Sequence, residues 1–226
     1  MRACRQVGAV SEGRLSAEAG PGRVRVAAMP AAPILRDVFH ALRAEWGEED
    51  DGVTFDGGPP PLERLDVMLY RPARPDGVTA FATVGMAAHP MPPGGGRPGG
   101  GAGGRAELRL LRRGPLGRED EHRLATRLAN LAAYPWTRGV PLGPGEIVGF
   151  DDELPAFPGC RRVFLAGPWP GGGPGVVETR VEPVRVLTAV PLAEAERARA
   201  LALPPETFFA ELLRSRDVCA PPPDGR

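Results

Sequence analysis

Residues 79–91 read T-A-F-A-T-V-G-M-A-A-H-P-M, and the rest of the chain is organised around them. Within residues 78–84, small and larger side chains alternate with the period of a β-strand. Gly85 interrupts this pattern, and a short, partly apolar turn with Met86 and His89 follows. Because glycine tolerates positive φ, we expect the strand to end or bulge at this point.

A second strand precedes this one. Residues 65–70 read L-D-V-M-L-Y, so Leu65 faces one side of the strand while Asp66 and Tyr70 face the other. An Asp-Gly pair between the two runs is typical of a turn. The two runs are therefore predicted to form a hairpin.

The remaining elements follow from periodicity and from proline and glycine breaks. The predicted further strands are 105–112, 146–150, 161–165 and 184–190, and the predicted helices are 32–46, 118–134, 193–201 and 206–214. Three strands precede the main helix, and this order indicates an α+β fold rather than a regular βαβ alternation.

Three breaks set the expected limits of these elements. Pro135 is predicted to end the main helix, because proline lacks the N–H that the next helical turn needs. Pro191 is predicted to end the last strand. The acidic residues 48–51 are interpreted as a solvated loop, since they lack the alternating ligand spacing of a calcium loop.

The chain is predicted to form one domain over residues 31–219. Residues 1–30 are interpreted as a disordered extension or as the product of a misplaced start codon, with Met29 as the natural start. Residues 92–104 contain a proline- and glycine-rich tract that predicts a flexible insert between two strands. Residues 220–226 are predicted to be a loose tail.

Composition limits the classes of function. The chain has 226 residues, 42% of them hydrophobic, and a formal net charge of zero. All of its basic residues are arginine. The balanced charge argues against nucleic acid as a partner, and no apolar run is long enough to cross a membrane. The three cysteines are far apart in sequence and favour a reduced, cytoplasmic setting.

No standard catalytic or metal-binding motif occurs, and no cofactor is predicted. His40, His89 and His122 are too far from one another and from cysteine to form a zinc site of the usual spacing. One alternative stays open, namely a hydrolase or transferase that uses His89, Asp66 and Cys160. The interpretation preferred here is non-enzymatic.

Five residues are candidates for partner binding. Asp and Tyr side chains suit hydrogen-bonded recognition, and aromatic residues in loops serve either as lids on a core or as binding anchors. The candidates are Asp66, Tyr70, Met86, His89 and Trp136.

The ordered set of segments resembles the suppressor of fused (SUFU) domain family in its bacterial form. The matching segments are L-D-V-M-L-Y (65–70), T-A-F-A-T-V-G-M-A-A-H-P-M (79–91), R-A-E-L-R-L-L (105–111), L-A-N-L-A-A-Y-P (128–135), P-L-G-P-G-E-I-V (141–148) and V-R-V-L-T-A-V-P-L-A-E-A-E (184–196). The resemblance implies a single α+β domain with a mixed, largely antiparallel sheet packed with helices.

The resemblance also implies a non-enzymatic role in protein binding. The eukaryotic member sequesters a transcription factor through a peptide laid between two domains, and a one-domain chain cannot form that clamp. Bacterial relatives are interpreted as immunity proteins that neutralise toxins. The expected partner is therefore a protein, either a toxin or a regulatory peptide that binds by strand addition at a sheet edge.

Overall fold

The fold is taken from a computed structural model, which describes residues 5–6, 32–94 and 104–223. These residues form nine strands and four α-helices. The strands are β1 (Arg5–Gln6), β2 (Asp51–Asp56), β3 (Arg64–Tyr70), β4 (Val78–Val84), β5 (Arg105–Arg113), β6 (Ile147–Gly149), β7 (Cys160–Ala166), β8 (Val176–Val177) and β9 (Val184–Ala193). The helices are α1 (Pro33–Trp46), α2 (Arg118–Arg138), α3 (Glu194–Ala202) and α4 (Pro205–Ser215), and a 3₁₀ turn spans Met86–Ala88.

One sheet contains all of these strands. Its order is β1-β6-β7-β9-β5-β4-β3-β2. The short strand β8 pairs with the first residues of β9, on the same side of β9 as β7, which pairs with its later residues. The β1–β6 and β5–β9 pairs are parallel, and the other strand pairs are antiparallel. The predicted α+β class and the mixed, largely antiparallel sheet are confirmed.

Helices cover both faces of the sheet. Leu124, Leu128 and Leu131 place the apolar side of α2 on one face, where the first core cluster lies. On the opposite face, α1 and α4 pack on a second cluster that includes Val38 and Phe208. Strands β3, β4 and β5 are thereby enclosed between two helical layers, as their largely buried residues require.

Two predicted element ends were wrong, and both involve proline. Helix α2 continues through Pro135 to Arg138 and ends at Gly139, whose φ of 65° is left-handed. A proline removes only one N–H, and a last turn closed by such a glycine tolerates that loss. Strand β9 continues through Pro191, which lies beyond Thr188, the last residue of β9 paired with β5. Proline is accepted there because the strand is paired on one side only.

The interpretation of residues 48–51 as a solvated loop is correct for residues 48–50, which lie between α1 and β2, but not for Asp51. Asp51 begins β2, which pairs antiparallel with β3 over its whole length. The side chain of Glu49 accepts two hydrogen bonds of 2.8 Å from Arg43. Asp50 accepts one of 2.6 Å from the backbone N–H of Arg71. Neighbouring arginines therefore hold this acidic segment in place.

The predicted domain limits stay predictions. Within the proposed extension, residues 1–30, only Arg5–Gln6 is described, and it pairs with β6. Most of the predicted insert also lies outside it, although the N–H of Met91 donates to the carbonyl of Gly104 across 3.3 Å. In the predicted tail, Pro222 is buried.

Candidate partner-binding surface

The turn after β4 is held by a buried carboxylate from the next strand. Glu107 of β5 accepts hydrogen bonds from the N–H groups of Gly85 and Ala87, each at 2.9 Å. It also accepts one of 2.5 Å from the Thr83 hydroxyl. Gly85 has a φ of 147°, and a Cβ there would lie 2.9 Å from the carbonyl oxygen of Arg64. This position therefore requires glycine.

An arginine holds the other end of the same turn. Arg105 donates to the carbonyl oxygens of Ala87 and Ala88 at 2.8 and 2.6 Å, and it forms an ion pair with Glu182. Arg105 and Glu107 alternate along β5 with the apolar Ala106. Sequence reasoning followed the apolar face of this strand and missed the charged one. The signal was the recurrence of charged residues inside a strand expected to be buried.

Burial controls the ionisation of Glu107. Removal from water raises the pKa of this carboxyl to about 7, and its hydrogen bonds to Thr83 and to the turn act in the opposite direction. The turn is therefore fixed by a group that titrates near neutral pH.

Met86 and His89 lie at the two ends of this turn and differ in exposure. Met86 is fully buried in the first core cluster, so it contributes no accessible surface in this conformation. His89 is half-buried, and its backbone N–H donates to the carbonyl of Met86 across 3.4 Å. Of the two candidates, only His89 is within reach of a partner.

Asp66 and Tyr70 lie on the opposite face of the sheet from α2. Tyr70 is buried against Trp46, with ring centroids 6.3 Å apart, and burial raises its pKa to about 12. Asp66 is partly exposed and accepts a hydrogen bond of 2.6 Å from the Thr54 hydroxyl. It also pairs with Arg64 at 3.3 Å. Asp66 is therefore an accessible side chain, and Tyr70 is part of the core.

The aromatic side chains act as lids. Trp136 lies in the last turn of α2, where it is half-buried against the first core cluster. Trp169 packs edge-on against Phe209, with ring centroids 5.2 Å apart. The five candidate residues thus do not converge on one surface, since Trp136 belongs to the α2 side of the sheet. Their role in partner binding stays a prediction.

The three residues of the hydrolase alternative are not assembled into a site. Cys160 begins β7 and Asp66 lies in β3, with β9, β5 and β4 between these strands. At about 4.8 Å per strand, the two residues are separated by about 19 Å. Cys160 is buried, which raises the pKa of its thiol to about 12. This arrangement does not allow the hydrogen-bonded chain that such a mechanism needs.

The described residues contain neither a cluster of metal ligands nor a helix suited to a membrane. No group of three or more His, Cys, Asp or Glu side chains in residues 5–6, 32–94 and 104–223 is placed to hold a metal ion. In the same part of the chain, no helix combines the length and apolar character needed to cross a bilayer.

Strand β2 forms an accessible edge of the sheet. It pairs with β3 on one side, and its other side has no strand partner in the described part of the chain. Beside it, a cleft of about 170 Å³ separates the β2–β4 face from α2. We call it the β2 cleft. It is lined by Asp51, Val53, Val67, Leu69, Phe81, Arg118, Glu121, His122 and Ala125.

An ion-pair bridge forms one wall of the β2 cleft. Arg71 donates two hydrogen bonds to Glu121, at 2.8 and 2.7 Å, and a third to Asp51 at 3.3 Å. These carboxylates raise the pKa of the Arg71 guanidinium. Paired hydrogen bonds of this kind fix the geometry of both partners, so the bridge ties α2 to the sheet. Sequence reasoning missed these residues, which lie far apart in the chain.

A second ion pair is buried under a glycine loop. Arg109 of β5 lies 2.8 Å from Glu45 at the end of α1, and its Nε donates to the Thr188 hydroxyl at 3.2 Å. Only 1% of the Arg109 side chain is exposed. A Cβ on Gly173 would lie 1.9 Å from Glu45, so the loop backbone rests directly on this pair.

The described part of the chain thus has an exposed sheet edge, β2, and beside it a small cleft, the β2 cleft. The sequence model for suppressor of fused protein (SUFU) matches residues 61–219, which is more than half of the chain. The chain therefore belongs to the suppressor of fused protein family. The match begins after α1, the acidic segment and β2. A comparison with curated protein sequences finds no match.

Solved structures share the fold at low sequence identity. A suppressor of fused homolog from Neisseria gonorrhoeae FA 1090 has a TM-score of 0.61 and 17% identity, over 81% of this chain and 91% of that one. A chain of the Sufu–Fu complex has a TM-score of 0.60 and 14% identity, over 86% and 91%. Drosophila Suppressor of Fused has a TM-score of 0.55 and 14% identity, over 82% of this chain but 46% of that chain.

Proposed function

We propose that this chain is a non-enzymatic protein-binding domain. The observation that carries the proposal is its membership of a family in which Sufu has been solved in complex with Fu. The separation of Cys160 in β7 from Asp66 in β3 supports a binding role over the hydrolase alternative.

The specific role in this proposal is that of a cytoplasmic immunity protein, which neutralises a toxin by direct binding. The mechanism is steric: one face of the sheet and its loops cover the surface through which the toxin acts. Support comes from the bacterial form of the sequence resemblance, and from the absence of any standard catalytic motif in the sequence.

Co-expression with the protein encoded beside this chain's gene tests the toxin role. If that neighbour is a toxin, we expect this chain to restore growth and to form a complex that survives gel filtration. The control is a chain of the same length with its core disrupted by Leu128→Asp, because Leu128 lies on the buried side of α2 in the first core cluster. A complex with the neighbour and no growth protection would contradict the toxin role but leave the binding role in place.

A second candidate function is that of a regulatory adaptor, which binds a partner's peptide by strand addition. The accessible outer side of β2 favours the adaptor role, because the free edge of a strand presents a row of N–H and C=O groups to an extended peptide. Here we expect a complex with a regulatory protein and no effect on toxicity. Isotope-edited infrared spectra of the complex would show added β-structure in the partner's peptide, and their absence would contradict this mode of binding.

A further inference from the structure

We infer that the β2 edge and the β2 cleft together form a docking surface for a basic, extended protein segment. The segment places one aliphatic side chain in the cleft and its arginine or lysine side chains along the acidic strip defined below. This inference rests on the proposed protein-binding function and identifies the surface and the class of partner.

The size and lining of the cleft select a side chain rather than a small molecule. Its volume of about 170 Å³ is well below the several hundred Å³ of typical small-molecule sites. Its floor is apolar, with Val53, Val67 and Phe81, and Ala125 of α2 leaves space above them. A cleft with these properties accepts one leucine-sized group and excludes water from it.

The cleft is in position for an added strand. Val53 lines it and belongs to β2 itself, so a segment paired with the outer side of β2 passes directly beside it. Side chains of an extended segment alternate in direction, so every second one can turn towards the α2 side of the sheet. Val53 and Phe55 are half-buried and already pack on the first core, which makes this side of β2 apolar.

Charge favours a basic segment. Glu45, Glu48, Glu49, Asp50, Asp51 and Asp56 are all carboxylates, and residues 45–56 contain no basic residue. We call residues 48–56 the acidic strip. Arg43 and Arg71 neutralise part of it, but Asp56 has no ion pair in the described part of the chain. Arg64 lies opposite Asp56 on β3, and Arg118 lines the cleft. The five carboxylates of the strip still outnumber the four arginines around them, so an excess of negative charge remains at the free edge of β2 and steers cations towards it.

Fluorescence anisotropy with a defined probe tests the chemistry. The probe is a short fluorescein-labelled peptide that alternates arginine with leucine. We expect it to bind the full chain, and we expect binding to weaken when salt is added, because exposed charges are screened. A peptide with glutamate for arginine and one with serine for leucine should each bind about tenfold more weakly or worse. Equal binding of all three peptides would overturn the proposal.

Matched variants test the position of the surface. The double variant Glu48→Gln, Asp56→Asn should bind the probe about fivefold more weakly, because two exposed carboxylates of the acidic strip are lost. The control Glu119→Gln, Glu206→Gln removes the same charge elsewhere and should bind as the unmodified chain does. Equal weakening in both would show a net-charge effect and overturn the assignment to β2.

The cleft is tested separately. Ala125→Leu fills it from α2, and Val53→Thr keeps its volume but makes the floor polar; both should weaken binding of the arginine–leucine peptide several-fold. Val181→Thr, at a valine that is 56% exposed elsewhere, is the control. Thermal unfolding identifies variants that fail to fold.

Hydrogen exchange should show new protection in Asp51–Asp56 when the probe binds, and protection confined to α3 and α4 would overturn the proposal.

Binding of the natural partner to the unmodified chain and to these variants distinguishes a failure of this inference from a failure of the proposed function. A partner that binds the unmodified chain and all these variants equally leaves the binding function intact and overturns the docking surface. If the neighbouring protein does not bind but the probe still requires β2, the docking surface stands and the toxin role fails.

Discussion

The carboxylate of Glu107 accepts hydrogen bonds from three groups that all belong to residues 83–87. It does so although it is only 3% exposed, and this burial raises its pKa to about 7 from an ordinary value of 4.5. In the unfolded chain the same carboxyl releases its proton near pH 4.5. Folding at neutral pH therefore works against the ionisation of this residue.

We predict that this linkage appears in the pH dependence of stability. Between about pH 4.5 and 7 the folded chain keeps the Glu107 proton and the unfolded chain loses it, so the contribution to the free energy of unfolding falls as pH rises. The full effect is at most about 3 kcal/mol. Urea denaturation should show that Glu107→Gln removes this slope, because the glutamine side chain does not ionise. The variant should still fold, since Gln accepts from the turn and donates to Thr83.

The control for this prediction is Glu63→Gln at an exposed position, which should leave the slope unchanged. A slope that is identical in the unmodified chain and in the Glu107→Gln variant would show that Glu107 does not carry the linkage.

At the scale of elements, the end of β4 depends on a single glycine. Gly85 has a φ that other residues rarely adopt, and Arg64 and Leu65 of β3 press against the place where a side chain would begin. The turn that follows carries the two N–H groups bound by Glu107. Backbone conformation and close packing thus both require glycine at this position, and the contacts of Glu107 depend on the turn that this glycine allows.

We predict that Gly85→Ala lowers the free energy of unfolding by at least about 2 kcal/mol, because the added Cβ must shift β3 and break the Glu107 contacts. Gly143→Ala is the matched control, since nothing lies within 4 Å of a Cβ there and its φ is not positive. Guanidinium denaturation measures both changes. Equal effects of the two substitutions would mean that the turn adapts without cost.

The elements that sequence reasoning found are those with clear periodicity. The period of two in β3 and β4 and the apolar stripes of α1 and α2 set their positions to within a few residues. Strand β2 was missed because its first residue continues an acidic segment. The partners of that segment, Arg43 for Glu49 and Arg71 for Asp51, are not apparent from local sequence.

The candidate site was less predictable than the fold. Tyr70 looked like a surface residue because the strand alternates, but α1 covers that side of β3. The bridge between Arg71 and Glu121 joins residues that only the packing of α2 on the sheet brings together. Local pattern does not encode contacts of this kind.

At the scale of the whole molecule, the chain has two glycine-rich tracts. The first, residues 95–103, lies outside the described part of the chain, and Met91 and Gly104 on either side of it are hydrogen-bonded to each other. The second tract, residues 170–175, lies against the buried pair of Arg109 and Glu45.

We predict opposite results when each tract is shortened. Replacing residues 95–103 by a short run of glycines should change the free energy of unfolding by less than about 1 kcal/mol, because loop-closure entropy depends weakly on length. Deleting residues 171–173 should cost about 2 kcal/mol or more, since it uncovers a buried ion pair. Urea denaturation compares the two. A larger loss from the first change would contradict the prediction of an insert at residues 92–104.

Strand β9 is the last strand in chain order, and it lies between β5 and β7 in the middle of the sheet. During synthesis, β2 to β5 can pair with one another early, and β6 can pair with β7, but among the described strands only β9 joins these two groups, and it emerges last. The nascent chain therefore exposes the inner side of β5, and later that of β7 as well, until β9 emerges. Completion of the fold depends on late capture of one segment, and an arrested or shortened product that lacks it would be a prime substrate for chaperones and proteases.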